Sequence, residues 1–154
     1  IAALWTLQRI GGLNEATLVA AVNAPSIPVK KNGLRIAQLP PTSQRGPETQ
    51  LHQAMIRELL DPNPQVQLQA LVSLGSFEVD DDVAMALVSV YPKLTDGYLQ
   101  SAALGVANTA PRKLITVALA SANPAPLRPL VMALTAKLAE QQDAEEGVVL
   151  RLVV

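Results

Sequence analysis

His52 is the single histidine of a 154-residue chain that contains no cysteine. Without thiolates or a second imidazole it has no companions for a metal centre. Disulfides, zinc-thiolate sites, c-type haem attachment and a cysteine nucleophile are excluded within this sequence. His52 could act as a base beside a Ser or Thr, yet no nucleophile motif accompanies it, and the plainer reading is a histidine on a helix surface. Asp80-Asp81-Asp82 is the sharpest charge cluster. Calcium loops space their carboxylates through a loop with a Gly at the bend. Three contiguous Asp before Val83 instead suit a helix N-cap with favourable charge in the first turn, with adventitious divalent-cation binding as the alternative. Trp5 and Tyr98 are either ligand anchors or core and edge-of-core residues. Their place among Ala and Leu at helical spacing favours the second reading. Lys30, Lys31 and Arg35 could meet a phosphate or an acidic protein, but lacking interleaved aromatics they read as a solvated helix face. Gly11-Gly12 is a turn, since no GxxxxGK follows. No residues are therefore assigned as catalytic, cofactor-binding or metal-binding, and the chain reads as a non-enzyme without cofactor.

The elements that would position any binding residue come from a hydrophobic content of 49% with only 3% aromatics. Ala, Leu and Val do the filling, which suits many small, similar helix contacts more than one large centre. Charged residues, at 16%, fall below the usual level of about 25%, which favours order over disorder and suggests surface that another chain segment covers. The net charge of −1 provides no global field to recruit nucleic acid or an anionic membrane. It is uneven: residues 1–57 carry +4 and residues 58–154 carry −5. This is either chance distribution over solvated faces or a polar molecule that packs end to end or receives a charged partner at one end. No apolar run reaches the ~20 residues of a membrane span. The chain starts at Ile1 inside an apparent helix and ends in the apolar run from Val148 to Val154. It reads as residues 1–154 of one domain excised from a longer protein, with self-association through the apolar ends expected.

The clearest unit is DPNPQVQLQALVSLG from Asp61 to Gly75. Pro62 and Pro64 stop any preceding helix, Asn63 can cap the next with Pro64 at its first position, and Gly75 ends it. Val66, Ala70 and Leu74 recur at helical spacing with Leu71 beside them. Val29, Gly33 and Leu34 repeat the Val–Ala–Leu pattern upstream, and Leu99, Ala103 and Leu104 repeat it downstream. Asn123-Pro124 begins a weaker copy, and Ala3, Leu4 and Leu7 belong to a first helix. Equivalent leucines stand about 30 to 37 residues apart, the span of a two-helix repeat. The spacing predicts second helices opening at Asn14, over Glu48–Leu60, Asp80–Tyr91 and Pro111–Ala120. Asp143 and Glu146 form a D-x-x-E capping box for a fifth. The apolar C-terminal run is alternatively a strand. The longest breaker cluster, Pro40 to Pro47, is an inter-helix loop. Small Gly33, Ala70 and Ala103 mark close helix approach, and the adjacent leucines fill the layer between repeats.

These residues carry a resemblance. Asp61, Pro62, Val66, Ala70 and Leu71 stand where a HEAT-repeat first helix has its usual residues, and the likeness extends over nearly the whole chain. The resemblance implies an all-α fold, a right-handed α-α superhelix of about five helix pairs. The Arg often found after the Val is Gln67 here, Gln100 in the next unit, and Lys30 and Arg128 elsewhere, so a full Arg–Asp ladder is not expected. More narrowly, residues 3–23, ALWTLQRIGGLNEATLVAAVN, are similar to the HEAT-like segment of large planctomycete and verrucomicrobial proteins. There it lies between a sugar-dehydrogenase-like propeller and a c-type cytochrome domain. The first resemblance implies a structural or protein-interaction scaffold, with a protein partner on the concave face formed by second helices. Glu15, Gln53, Arg57, Ser89, Arg112 and Lys113 are the candidate binding residues on that face. The second implies a rigid spacer in an extracytoplasmic electron-transfer dehydrogenase; otherwise the compartment expected is the cytoplasm. A HEAT-like subunit of a bilin lyase is a third reading, for which the expected acidic chemistry is missing.

Overall fold

In the computed structural model the backbone is described for residues 1–39 and 50–153, and side chains as far as Gln141. The predicted loop from Pro40 to Pro47, and Glu48 at the expected start of a second helix, lie outside the described residues. Within them the chain is all helical, without a strand. The helices are α1 (Ala2–Arg9), α2 (Glu15–Val22), α3 (Ile27–Ala37), α4 (Gln50–Arg57), α5 (Pro64–Leu74), α6 (Asp81–Val90), α7 (Gly97–Ala107), α8 (Pro111–Leu119) and α9 (Arg128–Val153). Short 3₁₀ turns at Glu58–Leu60, Tyr91–Lys93 and Ala125–Leu127 follow α4, follow α6 and lead into α9.

Local chemistry sets most helix starts. Asn14 Oδ1 accepts from the Thr17 amide at 2.9 Å, and Asn63 Oδ1 from the Gln65 amide at 2.9 Å with Pro64 at the first helical position. Asp80 Oδ1 accepts from the Val83 amide at 2.8 Å, and Asp96 Oδ1 from the Tyr98 amide at 2.7 Å. Each cap satisfies an amide that has no partner inside its helix. Gly11 supplies the one left-handed residue of the described backbone, φ +71°, in the turn between α1 and α2. Gly75 ends α5 with ordinary right-handed geometry, φ −61°.

The helices pack in two rows. The odd-numbered members α1, α3, α5, α7 and α9 each lie against the next odd one, and α2, α4, α6 and α8 each lie against the next even one. Cross-contacts such as α2 with α3, α4 with α5 and α8 with α9 join the rows. One contiguous apolar layer runs between them from Leu18 and Val22 through Leu34, Leu71, Leu87 and Leu114 to Leu134. Gly33 shows why this position must be small: a Cβ there would meet the Ala21 Cβ and the Val22 backbone nitrogen at 3.0 Å. Ala70 and Ala103 occupy the corresponding places on α5 and α7 and are buried. Ser73, fully buried on α5, donates its hydroxyl to the Leu34 carbonyl of α3 at 2.9 Å and fixes the register of the two helices.

Several expectations are corrected. Leu104 is only partly buried, whereas Leu71 is 1% exposed. On its far side α7 is less covered than on its near side, since α9 touches α7 far less than α5 does. Asn123 caps nothing; a 3₁₀ turn carries the chain into α9 without a side-chain cap. The capping box at Asp143 does not start a helix, because α9 runs unbroken through it. Between Leu130 and Glu146 there is neither Pro nor Gly, and Gly147 alone costs only about 1 kcal/mol within a helix. Tyr98 is 81% exposed and belongs to no core. Trp5 is an edge residue, partly buried, with its indole N–H donated to Asn32 Oδ1 at 2.8 Å.

Candidate protein-binding face

The even row places its side chains by a simple rule. Each even helix buries one stripe, such as Val83, Leu87 and Val90 on α6, and turns the opposite one outward. On α6 the outward stripe is Asp81, Met85 and Ser89, four residues apart, all exposed. Facing it are Thr116 and Val117 on α8 and Ala120 and Ser121 just after its end. Together with Val88 these residues line an open, largely apolar groove of 680 Å³.

A line of polar contacts crosses the row at the helix N-termini. Glu15, at the start of α2, accepts through Oε1 from the Leu51 amide of α4 at 3.1 Å. Gln53 Nε2 of α4 donates to Asp82 Oδ2 of α6 at 2.7 Å. Asp81 Oδ1 of α6 lies 3.1 Å from Lys113 Nζ of α8. Of the six residues anticipated on this face, Glu15, Gln53 and Lys113 thus join a chain of contacts, and Ser89 lies in the groove. Arg57 and Arg112 are exposed outside both. The sequence reading missed Met85, Thr116 and Val117, although the four-residue spacing of Asp81, Met85 and Ser89 already marks an outward stripe.

The Asp cluster divides its labour. Asp80 caps α6, Asp81 meets Lys113 and Asp82 meets Gln53. Among the described residues no three His, Cys, Asp or Glu side chains are grouped to hold a metal ion. His52 is not on the surface as expected. It is fully buried on α4, with Nε2 3.1 Å from Asp80 Oδ2 and its ring tilted against Phe77 at a centroid distance of 5.7 Å.

Lys30 is likewise not a solvated residue. Its Nζ lies 2.7 Å from Glu58 Oε2 and 2.7 Å from Asp61 Oδ2, with side-chain exposures of 16%, 9% and 10%. Burial pushes the Glu58 carboxyl above its ordinary 4.5, against the pull of the Lys30 ammonium. Burial also works against ionised Asp61, but hydrogen bonds from Lys30 and the Asn63 amide outweigh it and hold this carboxyl below 3.8. For Lys30, desolvation is outweighed by its two carboxylate partners, and its value is raised. Lys31 Nζ donates to Gln65 Oε1 at 2.8 Å, while Arg35 is exposed. Lys30 and Lys31 thus tie α3 to the turn before α5 and to its first helical turn.

Among the described residues no helix is long and apolar enough to cross a membrane. Comparison with family models, curated proteins and solved structures returned no match.

Proposed function

We propose that this chain is a non-catalytic scaffold of HEAT-like repeats, a right-handed α-α superhelix whose even-numbered helices form the face that holds a protein partner. The observation that carries the reading is the two-row packing, with the even row presenting an apolar groove between α6 and α8 beside a continuous polar line. Stacked helix pairs of this kind bury their apolar faces only against neighbours, and their curvature creates extended binding surfaces. The contacts between units support the repeat reading. Lys30, after Val29, reaches Asp61 of the following unit. Gln67 and Gln100 stand at the same place in later units and instead donate to nearby carbonyls, those of Leu59 at 3.1 Å and Leu94 at 2.7 Å. Lys30 thus makes a link between units, while Gln67 and Gln100 bond to carbonyls 8 and 6 residues earlier in the chain, in keeping with an incomplete ladder.

A groove with exposed Met85 at its floor and serines at its edges suits an apolar anchor from a peptide or helix, with adaptable thioether packing. The test is to pan a displayed peptide library on the immobilised chain and measure the selected peptides by calorimetry. Binding should fall at least about tenfold in Met85→Lys and Ser89→Arg, the loss of about 1.4 kcal/mol. It should be unchanged in Leu68→Lys, on the outward side of α5. Peptides indifferent to both groove substitutions, or no enrichment at all, would remove the α6–α8 face from the proposal.

A further inference from the structure

One ammonium faces two carboxyls where α3 meets the corner between α4 and α5. Glu58 lies in the 3₁₀ turn after α4 and is 7% exposed; Asp61 is in the turn that leads to α5, and Lys30 comes from α3. Both carboxyls lie 2.7 Å from the same Lys30 nitrogen and so converge on one point. If both are ionised the cluster carries a net negative charge in a place largely shut off from water. A proton on Glu58 makes the cluster neutral and gives Glu58 an O–H to donate to Asp61, while Asp61 keeps its bond from Lys30 and accepts from the Asn63 amide at 2.7 Å.

We propose that Lys30, Glu58 and Asp61 form a proton-operated latch that fastens α3 to the α4–α5 corner, closed when Glu58 holds a proton and loosened when it loses it. Among the described residues no second ion pair to Glu58 or Asp61 accompanies Lys30, and Arg35 on α3 is exposed. On α3 the neighbouring Lys31 is turned to Gln65. Arg57, at the end of α4, is exposed, and His52 one and a half turns earlier faces Asp80. On α5, Gln67 donates its side-chain amide to the Leu59 carbonyl at 3.1 Å. α6 also packs on the turn and carries no ionisable side chain between Asp82 and its end at Val90; the next is Tyr91, which burial keeps in its neutral form to higher pH than usual.

The sign follows from linkage. Folded Glu58 holds its proton more tightly than the unfolded chain does. Its contribution is therefore fully present below its ordinary 4.5 and is lost as pH rises through the higher folded value. Asp61 acts oppositely, since its contribution is lost as pH falls through its lowered folded value. The experiment is denaturant unfolding of the chain across a pH series for wild type, Glu58→Gln and the exposed control Glu78→Gln, with a carboxyl-carbon NMR titration of wild type. The ratio of the wild-type to the Glu58→Gln unfolding constant should grow as pH rises above the ordinary glutamate range, Glu78→Gln should track wild type, and Glu58 should titrate above Asp61 and above 4.5. Parallel wild-type and Glu58→Gln curves, or a Glu58 carboxyl titrating at or below 4.5, would overturn the latch. The NMR titration decides the matter even if Glu58→Gln fails to fold.

Discussion

Leu71→Ala should destabilise the fold by about 2–5 kcal/mol, and Leu104→Ala by roughly half as much, in denaturant unfolding. Leu71 is 1% exposed and sits in the apolar layer where α5 meets its neighbours. Removing it empties a closed site, so lost burial and an unfilled cavity add together. Leu104 on α7 is only partly buried, so truncation removes less buried area and leaves space that water can enter. Equal losses at the two positions would mean that the apolar layer continues into α9 as fully as it passes from α5 to α7.

Lys30→Met should be comparably severe, at about 3 kcal/mol near neutral pH, because it leaves two poorly solvated carboxyls without their shared cation. The figure belongs at the low end of what breaking buried pairs costs, since the three side chains keep 9–16% of their exposure. The same substitution in a Glu58→Gln background should cost distinctly less, since only Asp61 is then left without its cation. A double-mutant cycle measured by thermal and denaturant unfolding gives the difference directly. Additive losses would show that Lys30 acts through its aliphatic stem and not through its charge.

What was legible in the sequence was what local chemistry decides. Asn14, Asn63 and Asp80 announce their helices because a cap needs only an amide two or three residues away. Val66, Ala70 and Leu71 announce the buried stripe because helical spacing alone puts them on one side. Gly33 was legible as a close approach, and its space is indeed closed by Ala21 and Val22. The misreadings needed distant information. His52 follows Leu51 on the flank of the α4 stripe, a place whose burial is decided by Phe77 and Asp80, distant in the sequence. Lys30 looked solvated because its partners lie 28 and 31 positions further along the chain. The capping box at Asp143 has valid chemistry but lies where nothing interrupts the helix already in progress. On the candidate face, polar residues could be named from helix position, but which of them meet depends on how the even helices stack. That stacking joins Gln53 to Asp82 and Asp81 to Lys113, and leaves Arg57 and Arg112 outside.

The central claim is that the helices stack in two rows, in which each helix also touches the next of its own parity. Methyl-labelled nuclear Overhauser spectroscopy tests it most directly, because Ala, Leu, Ile and Val supply the core. The account predicts cross-peaks from α3 to α5 and α5 to α7 in one row, and from α2 to α4 and α6 to α8 in the other. A dense set of cross-peaks joining α2 to α8, as in a closed bundle, would contradict it.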